Sequence, residues 1–343
     1  MGQLAYTLDR QMRGHTLEMA KLYYAFSDER AFDKNIAEYT FDEHTKGIVD
    51  VLAIGAKRNF ESVAYIEHEE IKYKEKKHEE KNVVVCFSGG KDSTAAAMVM
   101  REKGYNVYLY YVQGINKSYP DELQHARDIA NLLGMPLAVE RVSLSGKTTF
   151  HDNPVKNQFI ASLALDWAIE NGIGTKICFG DFYTDNVTNS SFLEAWSDCQ
   201  EMWKAHRDFV RTFVPTYDIF IPFKNYIETM DIVAGHKDIL DKIQGCVLPY
   251  RFRKTTKVKN EEKYGVELLP NRCGSCWKCC VEYIHYADTG IMPYNKALYI
   301  HCMDFLKGKM AILHGEIIGR DYESVYKAFL FNDFKYSKLY ENK

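Results

Sequence analysis

The sequence lacks the features of a membrane, secreted or repetitive protein. No apolar run approaches the roughly 20 residues that span a bilayer. The first residues, Met-Gly-Gln-Leu-Ala-Tyr, contain no hydrophobic core of a signal peptide. There is no internal repeat and no low-complexity tract. We therefore expect a cytoplasmic protein that does not act at a membrane.

No charge of either sign dominates the chain. It has 44 Lys and Arg against 47 Asp and Glu, a net charge of -3. This balance argues against a whole-surface electrostatic grip on nucleic acid, although a local basic groove remains compatible with it. A hydrophobic content of 46% excludes a disordered chain. A small-molecule substrate is therefore favoured over nucleic acid.

The length of 343 residues suggests about two domains of ordinary size. We predict a mostly helical extension over residues 1–80, a central domain over 81–240, and a metal-binding and helical region over 241–343. In the central domain, short apolar runs alternate four times with helix-forming segments, starting at residue 83. This alternation predicts an α/β fold with a doubly wound parallel sheet. One long helix is predicted over residues 192–213.

A glycine-rich loop follows the first predicted strand of that domain. Residues 88–93 read Ser-Gly-Gly-Lys-Asp-Ser and precede a helix-forming segment. Consecutive glycines let backbone N–H groups approach an anion, and the N-terminus of a helix favours negative charge. The loop matches neither a Walker A nor a dinucleotide-binding glycine motif. A tight turn is the alternative, but this order of six residues favours a phosphate site.

The loop also contains an acidic residue, Asp92, which would repel phosphate directly. Its expected role is to hold a Mg²⁺ ion that bridges phosphate oxygens. The residues expected to bind phosphate are Ser88, Gly89, Gly90, Lys91, Asp92, Ser93 and Thr94.

The nine cysteines are odd in number, which argues against a secreted disulfide framework. Three of them, Cys273, Cys276 and Cys279, follow each other at two-residue intervals, a spacing typical of tetrahedral zinc sites. The candidates for a fourth ligand are Cys246, Cys280, His285 and Cys302, of which Cys246 is favoured. An iron–sulfur cluster is the alternative, since four thiolates bind either.

The loop at 88–93 resembles the signature of the PP-loop ATP pyrophosphatases, which cleave ATP between the α and β phosphates and adenylate a carbonyl or carboxylate. Together with the distal cysteines, it resembles the 7-cyano-7-deazaguanine synthase family, the QueC-like enzymes of queuosine biosynthesis. The resemblance covers roughly residues 82–282, including the segment Gly-Asp-Phe-Tyr-Thr-Asp at 180–185. It implies ATP, Mg²⁺ and a structural Zn²⁺ as cofactors.

The resemblance also implies a 7-deazaguanine substrate whose carboxylate is adenylated with release of pyrophosphate. The acyl group is then transferred to an amine or ammonia, and the product is an amide or a nitrile. The implied base pocket consists of Phe182, Thr184, Asp185 and Asp198. Asp185 or Asp198 could recognise the N1–H and amino group of the base, and helix caps or solvated positions are the alternative for both. Lys156 and Lys224 could steady the α-phosphate or the acyl-adenylate oxygen, and ordinary surface lysines are their alternative. The implied catalytic residues are Asp92, Lys156, Asp185 and Lys224.

Several positions depart from the family pattern. A Gln-Arg-His segment after the second strand is replaced around residues 117–119, and a basic insertion separates Cys246 from Cys273. These departures suggest a divergent member, of the kind found in phages and anti-phage defence operons. Its acceptor would be a bulky amine, such as a protein amine, rather than ammonia. The extension at 1–80 is interpreted as a partner-docking arm or a homodimer element. RNA thiolation and a non-catalytic nucleotide-binding subunit are the alternative functions.

Overall fold

The computed structural model describes residues 6–8, 14–26, 36–56, 60, 63–66, 81–115, 122–144, 153–181, 199–223, 226–246 and 250–316. Its strands are β1 (Tyr6–Leu8), β2 (Thr40–Asp42), β3 (Ala64–Ile66), β4 (Asn82–Cys86), β5 (Asn106–Gln113), β6 (Leu137–Leu144), β7 (Lys176–Phe179) and β8 (Asp218–Phe220). Its α-helices are α1 (Gly14–Ala25), α2 (Lys46–Ala56), α3 (Lys91–Glu102), α4 (Glu122–Leu133), α5 (Lys156–Glu170), α6 (Gln200–Phe213), α7 (Tyr226–Ala234), α8 (Lys237–Lys242), α9 (Tyr250–Tyr264), α10 (Trp277–Asp288) and α11 (Lys296–Glu316).

Six strands form the main sheet in the order β1-β6-β5-β4-β7-β8. The neighbours from β6 to β8 are parallel, and only β1 runs antiparallel, beside β6. The central strand β4 is buried at every position, as expected for a strand covered by helices on both faces. The predicted α/β fold with a doubly wound parallel sheet is confirmed.

Helices cover both faces of this sheet. On one face, α1 and α2 pack with α5 and α6 around a core that includes Leu22, Leu52, Phe159 and Trp203. On the other face, α3 and α4 share a core with α7, α10 and α11. The described helices of the N-terminal extension therefore bury their apolar sides against the sheet domain itself. The proposed boundaries at residues 80 and 240 stay predictions.

The elements that were not predicted from sequence include the strand β8 of the main sheet and the helix α9 that follows it along the chain. The strand β8 has three residues, too few to show an alternating pattern, and it extends the sheet beside β7. The helix α9 occupies a segment dominated by lysine and glutamate, where no apolar stripe marks a helix. The described part of the helix expected over 192–213 begins at Gln200, and residues 192–198 lie outside the described part of the chain.

The chain order creates a crevice at the carboxyl end of β4. From β4 the chain proceeds outward through β5 and β6, and it then returns to place β7 on the other side of β4. Ligands of open α/β sheets bind where the strand order reverses in this way. The loop at 88–93 begins two residues after β4 ends, so it lies at this position. None of the described helices is long and apolar enough to cross a membrane.

Candidate active site

A cavity of about 310 Å³ opens at the carboxyl ends of the central strands. Two groups of residues line it. The loop group consists of Ser88, Gly90, Lys91, Asp92 and Ser93. The Glu122 group consists of Tyr111, Glu122 and Lys156. Gly245, Cys246 and Lys278 also line the cavity, so the cysteine region meets the loop at one site.

The backbone of the loop is held against a neighbouring helix. Gly89 has φ of +72°, and a Cβ atom there would lie 2.7 Å from the Cα of Ala126 on α4. Any larger residue at this position would both adopt a disfavoured conformation and push against backbone. A Cβ atom at Gly180, the residue after β7, would likewise lie 2.6 Å from the carbonyl oxygen of Asp92. Both glycines allow the loop to fit between α4 and β7.

Hydroxyl groups inside the loop fix its shape. The Ser88 amide donates to Ser93 Oγ at 3.2 Å, and Thr94 Oγ1 donates to the carbonyl of Gly90 at 2.7 Å. The helix α3 begins at Lys91, earlier than the sequence suggested, with Gly90 in an extended conformation before it. The first amides of a helix have no intrahelical acceptor and point toward its N-terminus. The loop group therefore supplies the N–H donors and dipole that an anion requires.

Asp92 lies on the first turn of α3, and its carboxylate is held by specific partners rather than on a solvent-facing loop. Thr229 Oγ1 on α7 donates to Asp92 Oδ1 at 2.7 Å, and Lys91 Nζ lies 3.2 Å from the same oxygen. Burial opposes ionisation of Asp92, but Lys91, Lys278 and the Thr229 hydroxyl together hold its pKa below the ordinary value. Asp92 is therefore ionised near neutral pH and could hold Mg²⁺.

Lys91 is almost fully buried, with 3% of its side chain exposed, compared with 28% for Asp92. Burial lowers the pKa of Lys91 to about 8, although the charges of Asp92 and Glu282 act in the opposite direction. A bound polyphosphate would add negative charge beside this ammonium group and favour its protonated form.

Within the Glu122 group, Lys156 was predicted as a site residue, whereas Tyr111 and Glu122 were not identified from sequence. Tyr111 Oη donates a hydrogen bond to Glu122 Oε2 at 3.3 Å, and Lys156 begins α5 at the same cavity. Burial raises the pKa of Glu122 to about 7, although Tyr111 and Lys156 favour the ionised form. The carboxyl group can therefore exchange a proton near neutral pH. The signal that could have revealed Glu122 is an acidic residue on the first turn of the helix that follows the second predicted strand.

Four cysteines converge into one buried cluster, Cys246, Cys273, Cys276 and Cys279, whose sulfur atoms all lie within 4.8 Å of one another. The structure thus brings the four predicted ligands together, and these four residues form the cysteine cluster. The other candidates lie elsewhere. Cys280 Sγ faces the carbonyl of Gly274, and His285 Nε2 lies 2.6 Å from Asp231 Oδ1.

The spacing of the sulfur atoms fits a single tetrahedral ion. Ligands about 2.3 Å from zinc are separated by about 3.8 Å along each edge of the tetrahedron. Cys246 Sγ and Cys276 Sγ are 3.8 Å apart. In a cubane iron–sulfur cluster, each thiolate binds a different iron atom, which spreads the sulfurs more widely. The cysteine cluster is therefore compatible with zinc.

Backbone amides and a buried ion pair surround this cluster. The amides of Cys276 and Ser275 donate to Cys273 Sγ at 3.2 and 3.3 Å, as in metal-binding turns where N–H groups stabilise thiolate charge. Arg272 forms a buried ion pair with Glu282 and donates to the carbonyl of Ile243 at 2.7 Å. A Cβ atom at Gly245 would lie 2.6 Å from Arg272 Cζ, so a larger residue there would displace the guanidinium group.

Several predicted site residues lie outside the described part of the chain, namely Phe182, Thr184, Asp185, Asp198 and Lys224. Their assignment to a base pocket or to catalysis stays a prediction. Lys156 lies at the cavity, as do five of the seven residues predicted to bind ATP. The remaining cysteines, Cys86, Cys178, Cys199 and Cys302, are buried, as expected of packing residues.

Comparison with known proteins identifies a family match for the central part of the chain. Residues 82–221 match the model of the family described as "Queuosine biosynthesis protein QueC". The resemblance is thereby confirmed over this segment, which begins at β4 and includes the loop group. The match supports an ATP-utilising, adenylating enzyme family.

One curated relative is the tRNA-specific 2-thiouridylase MnmA of Desulfitobacterium hafniense (strain Y51). It is 35% identical over 86 residues, which is 22% of this chain and 22% of that protein. The chain thus matches about a fifth of the length of this relative.

Two solved structures are also similar. A predicted subunit of tRNA methyltransferase from Methanocaldococcus jannaschii is 19% identical, with a TM-score of 0.30, over 45% of this chain and 74% of that one. NMN synthetase from Francisella tularensis is 12% identical, with a TM-score of 0.33, over 77% of this chain and 91% of that one.

Proposed function

We propose that this protein is an ATP-dependent ligase that adenylates the carboxylate of a 7-deazaguanine acid and transfers the acyl group to an amine. The observation that carries the proposal is the loop group at the switch point of the sheet, within the segment that matches the QueC family. A phosphate-binding loop, a carboxyl group poised near neutral pH and a cysteine cluster all meet at its cavity. The loop and the carboxyl group each have a role in the proposed reaction.

The first step forms an acyl-adenylate. A carboxylate oxygen of the substrate attacks the α-phosphorus of ATP, the bond from that phosphorus to the bridging oxygen breaks, and pyrophosphate leaves. The amides and hydroxyls of the loop group hold the departing pyrophosphate, and Lys91 adds positive charge. Asp92, oriented by Thr229, would hold Mg²⁺, which neutralises phosphate charge when bound.

The second step transfers the acyl group to the acceptor. The amine nitrogen attacks the acyl carbon, a C–N bond forms, and the bond from that carbon to the AMP oxygen breaks. The nitrogen must lose a proton, and we assign Glu122 as the base that accepts it. Its pKa of about 7 suits this role, because a base is most effective when its pKa lies near the working pH. Lys156 would steady the developing charge on the acyl-adenylate oxygen.

The base of the substrate would be recognised by Asp185 or Asp198, with Phe182 and Thr184 beside it and Lys224 near the α-phosphate. These assignments rest on the family resemblance alone. We further propose a protein amine as acceptor, since the basic insertion before Cys273 and the N-terminal extension offer surface that an ammonia-using enzyme does not need. A homodimer and a role in anti-phage defence belong to the same proposal.

RNA thiolation is the second candidate, favoured by the partial similarity to a tRNA 2-thiouridylase. That chemistry requires a reactive cysteine at the nucleotide site. The cysteines that line the cavity in the described part of the chain are Cys86 and Cys246. Cys246 belongs to the cysteine cluster, and burial raises the pKa of the Cys86 thiol well above its ordinary value. Neither suits a nucleophile, so the ligase is preferred.

The test is incubation of the purified protein with ATP, Mg²⁺ and 7-carboxy-7-deazaguanine, with products read by mass spectrometry. We expect AMP and pyrophosphate, released only when the acid is present, and an amide when ammonia, a free lysine or a peptide amine is added. 7-Methyl-7-deazaguanine, which has no carboxylate, serves as the matched control. Release of ADP, or ATP cleavage that is independent of the acid, would contradict the proposal.

A further inference from the structure

Lys278 connects the cysteine cluster with the phosphate loop. It occupies the second position of α10, between the cluster residues Cys276 and Cys279, and its partly buried side chain lines the cavity. The turn that holds it is fixed, because Cys276 caps α10 by accepting a hydrogen bond from the amide of Cys279. The position of the lysine therefore depends on the geometry of the cluster.

The backbone on the other side of the cluster also meets the loop. Gly90 forms a parallel bridge with Gln244, two residues before the cluster residue Cys246. The cysteine region therefore contacts the loop at two separate places. The charge of Lys278 also reaches the loop group, where it lowers the pKa of Asp92.

The charges that line the cavity favour a further cation beside the loop. In the described lining, the cationic side chains are those of Lys91, Lys156 and Lys278. Lys91 already lies 3.2 Å from the Asp92 carboxylate, which offsets part of its charge. Four thiolates around one divalent ion would carry a net negative charge, which disfavours pyrophosphate nearby. The ammonium group of Lys278, which lies between Cys276 and Cys279 in sequence and lines the same cavity as the loop, would counter this repulsion.

We propose that Lys278 binds the pyrophosphate portion of ATP. The cysteine cluster then serves to hold this phosphate-binding side chain in place. The proposal rests on the phosphate site of the proposed function but not on its deazaguanine acid. The competing role for Lys278 is a counter-charge that serves the thiolates alone. The two roles predict different losses when the charge of Lys278 is removed. Pyrophosphate binding is weakened in the first role, and metal binding is weakened in the second.

The experiment measures binding of magnesium pyrophosphate by calorimetry, and metal content by mass spectrometry, in Lys278→Met, Lys278→Arg and the wild type. Lys259→Met, which removes an exposed lysine from α9, is the matched control. We expect the Kd for pyrophosphate to rise about 10-fold or more in Lys278→Met, because a charged hydrogen bond of this kind is lost. Metal content should stay at the wild-type level, and Lys278→Arg should restore most of the affinity.

Unchanged pyrophosphate affinity in Lys278→Met, with or without a loss of metal, would overturn the proposal and assign the counter-charge role. Equal weakening in Lys278→Arg and Lys278→Met, with metal and thermal stability retained, would also overturn it, since charge would then be irrelevant. Because no acid is present, these results are independent of the substrate test. Failure of the ligase proposal would appear instead as ATP cleavage that does not depend on the acid.

Discussion

The loop group and the Glu122 group line one cavity, but they are held there differently. The loop group comes from six consecutive residues, and its shape depends on backbone geometry and short-range hydroxyl contacts such as Ser88 with Ser93. The Glu122 group consists of side chains from three separate elements, one strand and two helices. A local anion site is therefore combined with a proton site that depends on the packing of the whole sheet. We expect substitutions in the two groups to affect different steps.

The largest effect is expected at the loop group. Asp92→Asn keeps the shape of the side chain but removes the charge that would hold Mg²⁺ against pyrophosphate. ATP cleavage should fall by about 10²–10³-fold or more, because charge stabilisation of the leaving group is lost. The measurement is acid-dependent pyrophosphate release. Asp128→Asn, on the outer side of α4, is the control and should behave as wild type. Full turnover in Asp92→Asn would remove this residue from the mechanism.

Substitutions in the cysteine cluster are expected to lower the metal content more directly than the activity. Purified protein should hold about one zinc per chain, and Cys276→Ser should lose most of it, because one thiolate ligand is removed while the serine hydroxyl can still cap α10. Metal analysis and thermal unfolding provide the readout, with Cys302→Ser as the control outside the cluster. Protein that contains iron and sulfide with a brown chromophore would favour the iron–sulfur alternative instead.

The Glu122 group should affect only the transfer step. In Glu122→Gln, exchange of labelled pyrophosphate into ATP should stay within about 3-fold of wild type, while amide formation falls about 10²-fold. In the wild type, the transfer rate should rise with pH through about 7, as the carboxyl group loses its proton. That dependence should disappear in the variant. Equal loss of both steps would show that Glu122 has a structural role.

Smaller effects are expected from two glycine substitutions. Together they separate the contribution of the close contact at the loop from that of its backbone conformation. Gly89→Ala places a methyl group 2.7 Å from the Cα of Ala126, while Gly104→Ala shares the positive φ but meets no atom within 4 Å. Unfolding free energy should fall by about 2–4 kcal/mol in the first and about 1 kcal/mol in the second. Denaturant titration gives both values. Equal losses would mean that α4 does not confine the loop.

The smallest effect concerns stability and pH. The folded state raises the pKa of Glu122 from 4.5 to about 7, so the unfolded chain loses this proton first as pH rises. The stability that the protonated form contributes is fully present below about pH 4.5. It is lost as the pH rises from there through about 7. Glu122→Gln should abolish this loss, on the order of 1–3 kcal/mol. Unfolding curves at pH 5 and pH 8 should therefore differ less in the variant than in wild type.

Much of the fold could be predicted because its signals are local. The buried strand β4, the loop and α3 follow one another within about twenty residues, and the apolar run, the glycines and the helix formers each indicate their own element. The strand β8 and the helix α9 could not be predicted, since three residues show no alternation and a lysine-rich helix shows no apolar face. Both depend on tertiary packing.

For the site, the sequence by itself determined the loop and three of the cysteines, because consecutive residues and two-residue intervals constrain geometry directly. Only the tertiary structure decided that Cys246 completes the cluster, that Thr229 orients Asp92, and that Glu122 meets Tyr111 in the same cavity. These partners are separated by 11 to 137 residues. No periodicity or motif links such positions. They are brought together because burying both faces of a parallel sheet gathers the carboxyl ends of its strands at one edge.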